Sequence, residues 1–156
     1  MTPFRIAPED AVLADVLALI RVSFAYMDGR IDPPSSVHRL SLERLRDTAR
    51  DSEIWAMGGP PVACVILTGR PDALYLGKLA VAQAARGTGL ARRLVALAET
   101  RARALGLARL ELETRIELVE NQATFARLGF QDVARTAHPG YDRPTSVTMR
   151  KTLSRL

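Results

Sequence analysis

The chain holds one cysteine, two histidines and two lysines among its 156 residues. With Cys64 alone, no internal disulfide can form. No histidine lies near it in sequence, so the thiol reads as a small buried hydrophobe rather than a nucleophile. Aromatic residues are only 5% of the chain, too few for the interleaved rings of a nucleic-acid surface. No apolar run approaches the length of a membrane span. The opening MTPFRIAPED lacks the basic-then-apolar build of a leader, so a soluble, cytoplasmic protein with no membrane partner is expected. Internal repeats, linkers and low-complexity tracts are missing too, and one domain over 1–156 is expected.

What is present is ordinary for a globular domain: 47% hydrophobic and 25% charged residues, enough to bury a core. The net charge is +5, and arginine outnumbers lysine twenty to two. The basic residues are spread along the chain, and only Arg86, Arg92 and Arg93 cluster. A polyanionic small molecule explains that cluster more economically than nucleic acid does.

Phe4-Arg5-Ile6 is a short strand candidate, and Pro8 suits the first turn of a helix in which Leu13, Val16, Leu17, Ile20 and Phe24 repeat at helical spacing. Gly29 and Pro33-Pro34 break it, and a second helical segment runs from Val37 to about Arg50. Glu53 to Met57 and Val62 to Thr68 read as a hairpin around Gly58 to Pro61, followed by a strand from Leu74 to Val81. A helix spans Gly89 to Leu105 with Gly106 as its stop, and Ala108 to Thr114 alternates as a strand, Leu110 and Leu112 facing away from Glu111 and Glu113. A short helix ends at Leu128, and strands at Gln131 to Ala137 and Ser146 to Thr152 close the chain.

The centre of this layout is Leu79 to Ala91, where the strand from Leu74 passes through a glycine-bearing turn into the helix that runs to Leu105. Glycines let backbone N–H groups approach an anion, and the helix N-terminus adds partial positive charge. The turn is not GxxxxGKS/T, and Gly87-Thr88-Gly89 lacks the third glycine and later acidic residue of a dinucleotide fingerprint. It does resemble the Gln/Arg-x-x-Gly-x-Gly/Ala signature of the GNAT superfamily of N-acetyltransferases, met by Arg86, Gly89 and Ala91. The resemblance continues from about Phe4 to Leu153 and includes Asn121 and Leu128-Gly129-Phe130.

The resemblance implies an α/β fold: a mixed, mostly antiparallel central sheet of six to seven strands with helices on both faces. It implies acetyl-CoA as co-substrate and no metal. Cofactor contacts would fall on Leu79, Ala80 and Val81, whose backbone would pair with the pantetheine amides, and on Arg86, Gly87, Thr88, Gly89, Leu90, Ala91 and Arg92 around the pyrophosphate. Asn121 would contact the cofactor at the start of the last helix, although capping explains an asparagine there equally well. Phe125, expected against the cofactor, departs from the family: the position often holds a tyrosine that protonates the leaving thiolate. Tyr141 is favoured as its replacement, ahead of Tyr26 and Tyr75.

Acetyl transfer to a primary amine, of a small molecule or a peptide, is the implied reaction, by direct attack without a covalent enzyme intermediate. Glu113 is the first candidate for taking the amine's proton and Asp32 the second. Lys78, unusual in an apolar strand, either faces a polar cavity or snorkels from an edge. The acceptor is expected between the two loops that carry Tyr26, Met27, Asp32 and Ser36 on one side and His138 and Tyr141 on the other. Their carboxylates and rings would suit a small cationic amine. Ser35 or Ser36 as a helix cap is the plain alternative for those two residues. A non-catalytic acyl-CoA binding module stays open as a second reading because of Phe125, and a homodimer is compatible with either.

Overall fold

The computed structural model describes residues 1–154. Seven strands form one sheet: β1 (Phe4–Arg5), β2 (Glu53–Met57), β3 (Ala63–Gly69), β4 (Leu74–Val81), β5 (Arg109–Arg115), β6 (Gln131–Thr136) and β7 (Ser146–Thr152). Their order across the sheet is β1-β2-β3-β4-β5-β7-β6, and only β4 and β5 run parallel. The helices are α1 (Leu13–Phe24), α2 (Leu42–Asp51), α3 (Leu90–Ala104) and α4 (Val119–Arg127).

Alternation along the strands builds a core on each face. On β2, Ile54 and Ala56 join a cluster with Val16, Ile20 and Leu45 of α1 and α2, while Met57 joins the opposite cluster with Leu94 and Val95 of α3. Cys64 and Ile66 of β3 face α1 and α2; Val65 and Leu67 face α3. A strand buried on both faces is apolar throughout, which is why β3 reads ACVIL. Leu110 and Leu112 of β5 join the α3 cluster, on the face opposite Glu111 and Glu113, as their alternation indicates. The mixed, mostly antiparallel sheet with helices on both faces matches the expected fold.

Three boundaries differ from the sequence reading. α1 begins at Leu13, because Pro8 lies in a turn where Asp10 Oδ1 accepts from Val12 N at 3.0 Å. The second helical segment is two pieces: a 3-10 turn at Ser36–Arg39, capped by Ser35, then α2, capped by Ser41, whose Oγ accepts from Arg44 N at 3.2 Å. Leu40 and Ser41 are extended between them. Asn121 lies inside α4 rather than at its cap, which is Leu118.

Two features of β4 shape the site. Its parallel pairing with β5 covers only Leu74 with Leu110 and Tyr75 with Glu111, so the strands part beyond Tyr75. A bulge opposite Val65 places Ile66 against Gly77 and Cys64 against Ala80, leaving one extra residue on β4. Lys78, at that bulge, has a φ of 51°, left-handed for a residue with a Cβ.

Candidate functional site

The parting of β4 and β5 opens a cavity of about 1080 Å³. Its walls come from β4, β5, the turn before α3, one side of α4 and the α1–α2 connection. Leu79, Ala80 and Val81 line it, on the edge of β4 that β5 does not pair. That edge leaves backbone N–H and C=O groups for an extended partner.

At one end sits the glycine turn. Gly87 and Gly89 have φ of 79° and 86°, and a Cβ added at either would meet nothing within 4 Å. No side chain caps α3, and among the described residues the N–H groups of Leu90, Ala91 and Arg92 find no acceptor. Open donors, an unscreened helix N-terminus and Arg92 beside them fit a pyrophosphate. Arg86 also lines the cavity and braces the turn, its Nε donating to Val81 O at 3.3 Å. Thr88 is not on the cavity wall; its hydroxyl donates to Ala85 O at 2.5 Å and locks the turn from behind.

The other end is roofed by the α1–α2 connection. Tyr26, Met27 and Ser36 line the cavity there, and His138 reaches it from the β6–β7 loop, with its Nδ1 held 2.5 Å from Thr145 Oγ1. Asn121 and Phe125 face the cavity from α4. Phe125 packs edge-on against Phe130 with ring centroids 6.0 Å apart. Asn121 Nδ2 donates to Tyr26 Oη at 2.9 Å, so Tyr26 arrives one helical turn before Phe125. Glu113 lines the cavity from β5, exposed and without an ion-pair partner among the described residues. Tyr75 lines it at the point of parting, and burial pushes its phenol up to about 12.

Besides Thr88, two expected residues lie off the wall. Asp32 and Tyr141 are not on the cavity wall: Tyr141 Oη donates to Asp32 Oδ1 at 2.6 Å, and Arg143 Nη2 reaches Asp32 Oδ2 at 3.3 Å. The bond to Asp32 raises the Tyr141 pKa, holding the proton on a phenol already committed to a carboxylate. Asp28 is likewise spent on His38 at 2.7 Å. The loop carboxylates therefore do not make the cavity a cation site. Sequence reasoning missed Arg39 and Arg115, which line it instead. Nothing in their local pattern separates them from the many other arginines. Lys78 does line the cavity, with Nζ donating to Ser36 Oγ at 2.6 Å.

Among the described residues no group of three or more His, Cys, Asp or Glu side chains is placed to hold a metal, and no helix is long and apolar enough to cross a membrane.

The sheet parts between β4 and β5, beside a glycine turn that opens a helix. The chain belongs to the acetyltransferase (GNAT) family, whose sequence pattern matches residues 17–130. A protein from Klebsiella pneumoniae, described as an acyl-CoA N-acyltransferase, is 25% identical, with a TM-score of 0.70 over 98% of this chain and 97% of its own. An acetyltransferase from Streptococcus agalactiae superposes with a TM-score of 0.75 at 18% identity, covering 97% and 98% of the two chains. A GNAT family acetyltransferase from Elizabethkingia anophelis, solved with acetyl-CoA bound, gives 0.67 at 12% identity over 97% of both. No curated protein sequence matches.

Proposed function

We propose that this chain is an acetyl-CoA-dependent N-acetyltransferase acting on a primary amine by direct transfer. The observation that carries this reading is the unpaired edge of β4 running into the glycine turn before α3. The residues fit the cofactor: Gly87, Gly89 and the first N–H groups of α3 take the pyrophosphate, Arg86 and Arg92 add charge, and Leu79 to Val81 offer backbone partners for the pantetheine amides. When bound, acetyl-CoA supplies an activated acyl group and a thiolate that leaves readily.

The protein's own part is to position the amine and move protons. Glu113, open to solvent on the cavity wall, takes the proton of the incoming ammonium directly or through a water. Tyr26 takes over the proton-donor role left vacant by Phe125. Its oxygen accepts from Asn121 at 2.9 Å, which leaves its own O–H free to donate. Release of free thiol from acetyl-CoA in the presence of amines tests the reading. Glu113→Gln should lower kcat by about a hundredfold, the scale of a lost general base, with CoA affinity unchanged. Tight CoA binding with no thiol release to any amine would favour a non-catalytic acyl-CoA binding module.

A further inference from the structure

The bulge in β4 does more than bend a strand. Leu74 and Leu76 face the α3 cluster, and after the bulge Leu79 and Val81 face the same way. The extra residue therefore shifts the alternation by one position. In an unbroken strand Lys78 would point with Leu74 and Leu76 into that apolar core. The bulge instead turns its ammonium to the cavity, in a backbone conformation uncommon for a residue with a Cβ.

There the ammonium has one hydrogen-bond partner among the described residues, Ser36 Oγ at 2.6 Å, and no carboxylate within ion-pair reach. Two of its three donors stay free. Arg39 lines the same wall and makes no ion pair among the described residues. Arg115 adds a third positive charge. Its Nη2 donates to Pro33 O at 2.5 Å and Pro34 O at 3.0 Å, and its buried Nη1 has no partner. Burial lowers the Lys78 pKa, and the charges of Arg39 and Arg115 lower it further. Of the carboxylates nearby, Asp32 is bound by Tyr141 and Arg143 and Glu120 by Arg30 at 2.7 Å. Glu117 Oε2 accepts from Asp32 N at 3.0 Å and its buried Oε1 has no partner; its charge and that of Asp32 act on Arg115, leaving Lys78 and Arg39 as the cations without a carboxylate. Glu113 remains open.

We infer that the acceptor carries a carboxylate close to its amine, the carboxylate held by Lys78, Arg39 and the Ser36 hydroxyl while the amine faces Glu113. This rests on the acetyltransferase reading above. The cluster is separate from the pyrophosphate cations. Val81 lies up to about 10 Å along the strand from Lys78, and the Arg86 guanidinium sits at Val81, its Nε donating to the Val81 carbonyl at 3.3 Å.

The test compares L-amino acids with their amides, the amines left by their decarboxylation, and aminoalkyl phosphates, measuring thiol release from acetyl-CoA. Free amino acids of at least one side-chain type should show a KM at least tenfold below their amides and decarboxylated counterparts. Lys78→Met should erase that difference, and Lys78→Arg should restore part of it. Calorimetric CoA affinity should be the same in all three proteins, and matched melting temperatures would show that they are folded. Preference for amines without a carboxylate, preference for aminoalkyl phosphates, or no transfer to any of these while CoA binds would overturn the inference. So would a tenfold loss of CoA affinity in Lys78→Met, which would make Lys78 a cofactor contact. Failure of the wild-type protein to bind CoA would instead overturn the acetyltransferase reading itself.

Discussion

Tyr141 Oη donates to Asp32 Oδ1 at 2.6 Å, tying the β6–β7 loop to the α1–α2 connection across 109 positions of sequence. Arg115 holds the same connection through the carbonyls of Pro33 and Pro34, and Arg30 ties it to Glu120 of α4 at 2.7 Å. These bonds strap that connection, the roof over one end of the cavity, to β5, α4 and the β6–β7 loop. The roof's shape therefore depends in part on side chains off the cavity wall, Arg30, Asp32 and Tyr141.

Tyr141→Phe should accordingly alter acceptor binding and not proton transfer. Acceptor KM should rise about twofold to fivefold, the scale of one exposed charge-assisted contact, while the pH profile of kcat keeps its shape. Tyr26→Phe should instead lower kcat by about a hundredfold, most at high pH where water is the poorer alternative donor. Equal kcat in wild type and Tyr26→Phe across pH would remove Tyr26 from the mechanism.

Gly89→Glu should abolish CoA binding with the fold intact. The left-handed φ of 86° costs about 1 kcal/mol for any residue with a Cβ, and the added carboxylate would stand where the pyrophosphate must sit. Gly106→Glu is the matched control, since Gly106 has a φ of 73° just past the opposite end of α3 and the same open surroundings. Both variants should melt at similar temperatures, and only Gly89→Glu should lose calorimetric heat with CoA. Loss in both would mean that fold disruption, not site chemistry, is responsible.

Cys64 should be chemically silent. It is fully buried, and burial pushes its thiol up to about 12, so the thiolate is negligible at neutral pH. The native protein should resist alkylation, and Cys64→Ala should retain turnover at a stability cost of about 1 kcal/mol. An acetylated Cys64 found by mass spectrometry during turnover would reverse the assignment of direct transfer.

Glu53 should make stability depend on pH. Arg101 grips both its oxygens at 2.8 Å and Trp55 Nε1 donates to it at 2.8 Å, and the Arg101 bond leads in lowering its pKa below the ordinary 4.5. A depressed carboxyl pKa stabilises the fold above the unfolded value, and that stability is lost as pH falls through the folded one. Glu53→Gln should cost about 2 kcal/mol at neutral pH, and the gap to wild type should shrink as pH falls below the ordinary carboxyl value of 4.5 and through the lowered folded one. A gap independent of pH in urea unfolding would show that packing, not charge, makes the difference.

The sequence by itself determined the parts of this protein that depend on neighbouring residues. The alternation of β2, β3 and β5, the helical stripe of α1, the turn from Arg86 to Ala91 and the inert setting of Cys64 are all properties of short stretches. Backbone geometry there follows from local periodicity and from glycines at positive φ. Only the tertiary structure decided the charge at the end of the cavity under the α1–α2 connection. Asp32 in isolation is a plausible anion for a cationic amine; paired with Tyr141 and Arg143 it is spent. Lys78 in isolation is an odd residue in an apolar strand. The bulge and Ser36, 42 positions away, make it part of a cation cluster facing the cavity. The sign of a pocket is a sum over groups brought together by the fold, and Coulomb interactions follow distance in space, not separation along the chain.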